Sequence, residues 1–445
     1  MVNYQEIPEE VPVITKKSDD EWDVKIGDPI EYFDPELSYE LTGYRPITAD
    51  KGLDFDPKLF TEAADNYINT GRYTQYMPNT FKWINFWQEE FNRCLKGFTV
   101  GKYTLTGQNY FFLNYYRLLS PLKKKDDSGS KRSESFPVFI AKQYEYFHYL
   151  EMCKKADFDG LAFKSRGVGA SEIAASNCAH AYTFIKESYN IVTGFLEKYV
   201  RTTLRKVWQE LDFLNTKTEG AFKRLRMKTN TDLKKTASLV DSEGNESGWK
   251  STIEGITADT PDKLRGDRVD NIYFEESGNN KSLIETYSRG HALVDILGSR
   301  VGNRFVFGTS GEQGPQLAGL KTMFFNPKGY SMLPYMNRSM QGEPQLTGYF
   351  IPSYSMWLGN PVGTGFDDRG VVYQEAAKEY YLKKWEKIDD PKALIIDKAE
   401  YCFTPEDAFV LEGSNNFDQE KLAEQKAAIE IHKTIPLPRQ MQLRW

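Results

Sequence analysis

Between residues 136 and 310 the apolar positions switch repeatedly between two periods. DGLAF, YNIVTG, STIEGITA, DNIYF and NRFVFGTS are short apolar runs that read as strands. Before and between them, AKQYEYFHYLEMCKK, ASEIAASNCAHAYTFI and LEKYVRTTLRKVWQELDFL carry apolar residues at helical spacing. Strands alternating with helices predict an α/β fold with a mainly parallel sheet and helices on both faces. No internal repeat of the kind that builds solenoids is visible.

The first 135 residues pattern differently. Residues 1 to about 60 are acidic, Pro-rich and weakly periodic, and read as an extended arm. From Pro57 to Leu95 the pattern turns helical. In FKWINFWQEEFNRCL, the residues Phe81, Ile84, Trp87, Phe91 and Leu95 predict one packing stripe. Tyr103–Leu119 is rich in β-formers and aromatics, and Leu122–Ser135 (LKKKDDSGSKRSES) reads as a solvated loop and a boundary. The expected division is an N-terminal arm and helical/aromatic accessory region over 1–135, an α/β domain over 136–400, and a linker over 401–445.

Composition narrows the partners more than the fold. Aromatics form 14% of the chain, which excludes general disorder. With 57 Lys and Arg against 63 Asp and Glu, the net charge of −6 excludes a uniformly basic nucleic-acid coat, so any DNA contact must use a local patch. Cys94, Cys153, Cys178 and Cys402 are far apart and form no CxxC, and the four histidines are equally scattered. That argues against a disulfide framework or a zinc site and for a reducing compartment. No apolar run is long enough to span a membrane, and the N-terminus lacks the order of a signal peptide.

Five stretches carry candidate chemistry. After DGLAF comes Lys164-Ser165-Arg166-Gly167-Val168-Gly169-Ala170-Ser171, entering a helix. Two glycines in a strand-to-helix turn let backbone N–H groups close on an anion at the helix N-terminus. Ser171 stands where a hydroxyl would ligand Mg²⁺, but Ala170 occupies the lysine position of GxxxxGK[ST]. Lys164 can reach back with the missing ammonium. A structural glycine turn fits the same residues. Glu172 in the third glycine position excludes a dinucleotide fingerprint.

NIYFEES ends an apolar strand in Glu275-Glu276. The first carboxylate can hold Mg²⁺ directly or through water, and the second can orient a water against a γ-phosphorus. NRFVFGTSG ends in Gly308-Thr309-Ser310, a polar tip that can sense phosphate, or a plain turn. Arg265, eleven residues before Glu276 in LRGDRVDNIYFEE, can serve a neighbour's nucleotide or a surface salt bridge. Gln143, in FPVFIAKQYEYF, can read an adenine edge through its paired donor and acceptor, or sit unremarkably at a helix start.

In this order the set resembles the ATPase portion of the large terminase subunit of tailed phages. KSRGVGAS looks like that family's deviant Walker A, with the lysine at the loop start as Lys164 is, and Arg166 where a loop arginine contacts phosphate. IYFEES looks like its Walker B with the catalytic glutamate. FVFGTSG is similar to the coupling motif, LRGDRVDNIYFEE to the segment whose arginine acts in trans, and FIAKQ to the adenine-recognising element. FTPEDAF followed by EGSNNFD looks like the segment joining motor to nuclease. The resemblance covers roughly residues 136–420 and departs in two places: Glu275 replaces the usual aspartate, and the loop lysine is missing.

The resemblance implies an ASCE-type P-loop ATPase domain over 136–400 with ATP and Mg²⁺ as cofactors. Lys164, Arg166 and the Gly167–Ser171 backbone would hold phosphates. Ser171 and Glu275 would hold Mg²⁺, Glu276 would position water, and Gly308, Thr309 and Ser310 would couple hydrolysis to motion. Gln143 would bind adenine and Arg265 would act on an adjacent subunit. Implied partners are double-stranded DNA, the portal of the procapsid, the small terminase subunit and further copies of the chain in a pentameric ring on the portal, with no membrane. The implied place is the host cytoplasm at the portal vertex, not the mature virion. The chain stops where the family continues into a nuclease, so a motor without the cutting activity is expected. The alternatives are a helicase-like DNA-dependent ATPase and a catalytically inactive portal-binding P-loop scaffold.

Overall fold

Consecutive residues of the sheet strands are buried in two different cores, as near-continuous apolar runs require. Ala162, Val192, Tyr273, Phe305 and Phe307 belong to one core. Leu161, Phe163, Ile191, Ile272, Phe274 and Val306 belong to the other. The computed structural model describes residues 12–16, 22–26, 30–36, 44–51, 53, 55–120, 133–310 and 314–409.

Among the described residues the central sheet has seven strands: β1 (Gly160–Lys164), β2 (Tyr189–Gly194), β3 (Lys234–Thr236), β4 (Thr252–Thr257), β5 (Asn271–Glu275), β6 (Asn303–Gly308) and β7 (Tyr349–Ile351). Their order is β7-β1-β6-β5-β2-β4-β3. Every neighbouring pair is parallel except β3 with β4. One strand, β6, therefore lies between the strand that enters the glycine turn and the strand that ends in the twin acids. The expected α/β fold with a mainly parallel sheet is thus present. In register, Glu275 pairs with Gly194, Gly308 with Phe163, and Ile351 with Lys164. The carboxyl ends of these strands are thus level, which is where open α/β sheets place their ligands.

Eight helices matter to the site and its support: α1 (Phe81–Lys96), α2 (Gly107–Asn114), α3 (Ala141–Lys155), α4 (Ala170–Phe184), α5 (Glu197–Lys217), α6 (Leu283–Val294), α7 (Ala318–Phe325) and α8 (Pro391–Glu400). Helices α3, α4 and α5 cover the first core, α6 and α7 the second.

The N-terminal region departs from its pattern in two ways. The stripe expected on α1 holds only in its later turns: Trp87 is buried and Phe91 and Leu95 pack half-buried against the core beside Glu90 and Cys94, whereas Phe81 is 77% and Ile84 49% exposed. Glu90 is tolerated inside because Tyr110, Tyr115 and Arg93 all donate to its carboxylate. The β-forming stretch 103–119 contains helix α2, N-capped by Thr106, whose hydroxyl accepts from Asn109 N at 3.1 Å. All eight residues of α2 are buried. Packing decides here: Phe111 meets the rings of His180 and Phe184 on α4, each at 5.6 Å. Burial pushes His180 down to about 4, so it is neutral, with Nε2 2.6 Å from the Cys94 carbonyl. This region and the sheet thus share one core.

The four cysteines are buried and free. Residues 401–409, read as the start of a linker, pack into the second core: Cys402, Ala408 and Phe409 are buried, and Phe409 stacks on Phe163 at 4.7 Å. Thr404 and Asp407 form a capping box there. Gly311, most of the basic loop (121–132) and residues 410–445, with EGSNNFD, lie outside the described residues. Among the described residues no helix is long and apolar enough to cross a membrane.

Candidate functional site

The sheet delivers β1 directly into the glycine turn. Gly167 and Gly169 have φ of 85° and 78°, a region open to glycine at no steric cost, and this lets the chain reverse from β1 into α4 within five residues. The first turn of α4 leaves its N–H groups without intrahelical partners. Beside them opens a cleft of about 810 Å³, lined by Lys164, Arg166, Gly167, Gly169, Ala170 and Ser171 from the turn. Glu276, Asn279 and Thr309 line it from the tips of β5 and β6. Tyr199 and Lys206 come from α5, Glu172 from α4, and Ile396, Ala399 and Glu400 from α8.

The turn and the twin acids meet. Ser171 Oγ donates to Glu275 Oε2 at 3.0 Å, and Lys164 Nζ lies 3.6 Å from Glu276 Oε1. The Thr309 hydroxyl donates to Glu276 Oε2 at 3.4 Å. The two acids differ in setting. Glu276 faces the cleft from a left-handed backbone, φ 46°, that turns its side chain away from the sheet. Glu275 is buried behind Ser171. Burial pushes its carboxyl up to about 7, against the Thr203 hydroxyl hydrogen bond, with the neighbouring Glu276 charge adding to the rise.

Among the described residues each of the three cations lining the cleft is paired with a carboxylate: Lys164 with Glu276, Lys206 with Glu172 at 2.8 Å, and Arg166 with Glu400. Tyr116 also donates to Glu172, at 2.7 Å, which ties the N-terminal region to the rim. An incoming polyanion would exchange these partners for phosphate oxygens.

The donor set suits Mg²⁺. That ion keeps several waters and takes one or two protein ligands plus phosphate oxygens in nucleotide sites. One hydroxyl (Ser171) backed by one carboxylate (Glu275) is such a set, and the carboxyl held high by burial is one that a cation would ionise. Among the described residues no group of three or more His, Cys, Asp or Glu could hold a metal by itself.

Other expected site residues lie elsewhere. Ser165 turns inward, fully buried, and its hydroxyl donates to the Cys402 carbonyl at 3.0 Å. Val168 is buried in the first core beneath the turn. Gly308 packs behind the twin acids, and Ser310 donates to the Ala399 carbonyl at 3.2 Å. Gln143 is not among the cleft-lining residues, and its buried amide oxygen has no hydrogen-bond partner among the described residues. Arg265 is also away from the cleft, exposed and paired with Asp262 at 2.7 Å. Tyr199, Thr203 and Lys206 were not singled out from the sequence. Their i, i+4, i+7 spacing on a helix after a strand was the available signal. Glu400 had no local signal.

Comparison by sequence finds no matching family model and no matching curated protein. Comparison with solved structures finds large terminases. The Thermus phage P74-26 large terminase ATPase domain matches over 55% of this chain and 88% of its own, at 12% identity and a TM-score of 0.38. The large terminase of thermophilic bacteriophage D6E, solved in complex with ADP, matches over 38% of each chain at 16% identity and a TM-score of 0.26. The HK97 bacteriophage large terminase matches over 45% of this chain and 39% of its own, at 10% identity and a TM-score of 0.31. At these scores none of them outweighs the chain's own geometry.

Proposed function

We propose that this chain is an ATP-hydrolysing motor of the phage terminase type, which moves double-stranded DNA into a procapsid. The observation that carries the ATPase reading is the meeting of the phosphate-type turn with two carboxylates of unlike environment, Glu275 behind Ser171 and Glu276 at the cleft. The translocation reading, with DNA, portal, small subunit and a pentameric ring at the portal vertex as partners, rests on the motif resemblance. So does the link toward a nuclease, although residues 401–409 at its expected start pack into the second core and the N-terminal region shares the first core with the sheet.

In this reading the N–H groups of Gly167–Ser171 with Lys164 and Arg166 bind the triphosphate. Ser171, backed by Glu275, would hold Mg²⁺, which would supply charge to the phosphate oxygens. Glu276 orients a water for in-line attack on the γ-phosphorus and takes its proton. The new P–O bond forms as the bond to the β-phosphate oxygen breaks and ADP leaves. Thr309, hydrogen-bonded to Glu276, registers the change at the tip of β6, and Ser310 passes it to α8 through Ala399.

The test is Glu276→Gln. ATP affinity should be retained while phosphate release falls on the order of 10²–10⁴-fold. Turnover that survives the substitution would remove Glu276 from its role. An unsubstituted chain that binds ATP and releases no phosphate, with or without DNA and portal, would support the scaffold reading instead.

A further inference from the structure

We propose that Thr203 is the positioning residue for the Glu275 carboxylate, bracing a side chain one methylene longer than aspartate. The inference rests on the ATPase reading above and adds to it a residue outside the cleft lining. Thr203 lies in the middle of α5 and is 1% exposed. Its hydroxyl donates to Glu275 Oε1, while Ser171 donates to Oε2. Each carboxylate oxygen therefore receives one hydroxyl from a different helix, and among the described residues Glu275 makes no ion pair.

A threonine inside a helix can turn its hydroxyl back to the carbonyl four residues earlier. Two others in α5 do so: Thr202 bonds the Lys198 carbonyl at 2.7 Å and Thr216 the Asp212 carbonyl at 2.9 Å. Thr203 gives its hydroxyl to Glu275 instead. The helix is brought close enough by a glycine in the sheet: a Cβ at Gly255 would lie 2.4 Å from Leu204 Cδ1 and 2.8 Å from Val200 Cγ1. Those two side chains flank Thr203, so α5 can settle onto β4 and set Thr203 against the tip of β5.

Glutamate has one more rotatable bond than aspartate, and fixing it costs side-chain entropy. Thr203 anchors the far oxygen, so the near one stays aimed at Ser171 and the cleft. Groups that orient a metal-holding carboxylate are worth roughly 10–100-fold in metal affinity.

The experiment is a Mn²⁺ titration of the full chain with ATP, followed by electron paramagnetic resonance, with metal-free ATP affinity and the circular dichroism melt as controls. Thr203→Val, or Thr203→Ala if the valine variant does not fold, should weaken Mn²⁺ binding by about 10-fold or more, and Thr203→Ser should restore it. Glu275→Asp withdraws the carboxylate from Thr203. Adding Thr203→Val to it should then change Mn²⁺ affinity little, a non-additive cycle. Equal Mn²⁺ affinity in the Val, Ala and Ser variants, or full additivity with Glu275→Asp, overturns the role of Thr203 and leaves the ATPase reading standing. An unsubstituted chain that binds neither ATP nor Mn²⁺–ATP takes both down.

Discussion

Glu210 carries a carboxyl group into the interior with half of its hydrogen-bonding capacity unused. Arg117 N donates to Oε2 at 3.0 Å, and Oε1 is buried with no partner among the described residues. Burial pushes the group up to about 8, opposed by that backbone hydrogen bond and by the Arg117 charge. The folded protein therefore keeps a proton that the unfolded chain releases near the ordinary value of 4.5. The stabilisation is fully present below that value and is lost as pH rises through about 8. Glu210→Gln should flatten the fall in stability across this window, seen in urea midpoints measured from about pH 5 to about pH 8. Glu275, raised in the same direction to about 7, keeps its share of the slope in the variant. Parallel curves for the two proteins would show that Glu210 is ionised in the fold. At this scale the twin acids were legible, because an apolar run ending in two carboxylates marks a strand tip. The unlike fates of Glu275 and Glu276 were not, since burial depends on Ser171 and Thr203 closing over one of them.

At the scale of elements, the cleft depends on how closely the turn after β5 approaches the tip of β6. A Cβ on Gly278 would fall 1.9 Å from the Thr309 carbonyl oxygen, and one on Gly308 would fall 2.7 Å from Ser277 N. Two glycines thus let the twin-acid turn and the tip of β6 touch backbone to backbone, which puts the Thr309 hydroxyl within reach of Glu276. Gly278→Ala must push that backbone apart. It should cost about 1–3 kcal/mol of stability and lower phosphate release while ATP binding remains, read by denaturation and by a nucleotide-binding titration. A variant as stable and as active as the unsubstituted chain would mean the two tips have room to spare. The strands themselves were readable because a sheet buried on both faces needs unbroken apolar runs, as in Ile272–Phe274 and Phe305–Phe307. Helix α2 was not, because YTLTGQNYFFLNYY has the residues of a strand and becomes a helix through the Thr106 cap and the aromatic bed offered by α4. Part of the packing face of α1 was equally hidden, since Glu90 is buried only where Tyr110 and Tyr115 reach it.

For the whole molecule, the cleft draws its walls from residues as distant in sequence as Lys164 and Glu400, and one expected participant stays outside it. Arg265 is 66% exposed, on the loop before β5, with Gly266 at φ 148° beside it and Asp262 as its salt-bridge partner. Asp262 also lies 3.4 Å from Arg289 Nε, so the guanidinium shares an exposed carboxylate, an interaction of little energy in water. A cation so placed is free to exchange Asp262 for a stronger anion, and under the proposed function that anion would be the nucleotide of an adjacent copy of the chain. Under the proposed function, Arg265→Ala should keep ATP affinity and lose hydrolysis in the assembled ring, with an arginine of this kind worth on the order of 10³–10⁵ in rate. Mixing Arg265→Ala subunits with Glu276→Gln subunits then makes the decisive case. Each single variant is inactive at every interface, but a mixed ring contains interfaces that join an intact Glu276 to an intact Arg265. Phosphate release should therefore reappear on mixing, in proportion to the number of such interfaces. Verified mixed rings that stay inactive would confine Arg265 to its own surface and leave the motor without a residue acting across subunits from this loop.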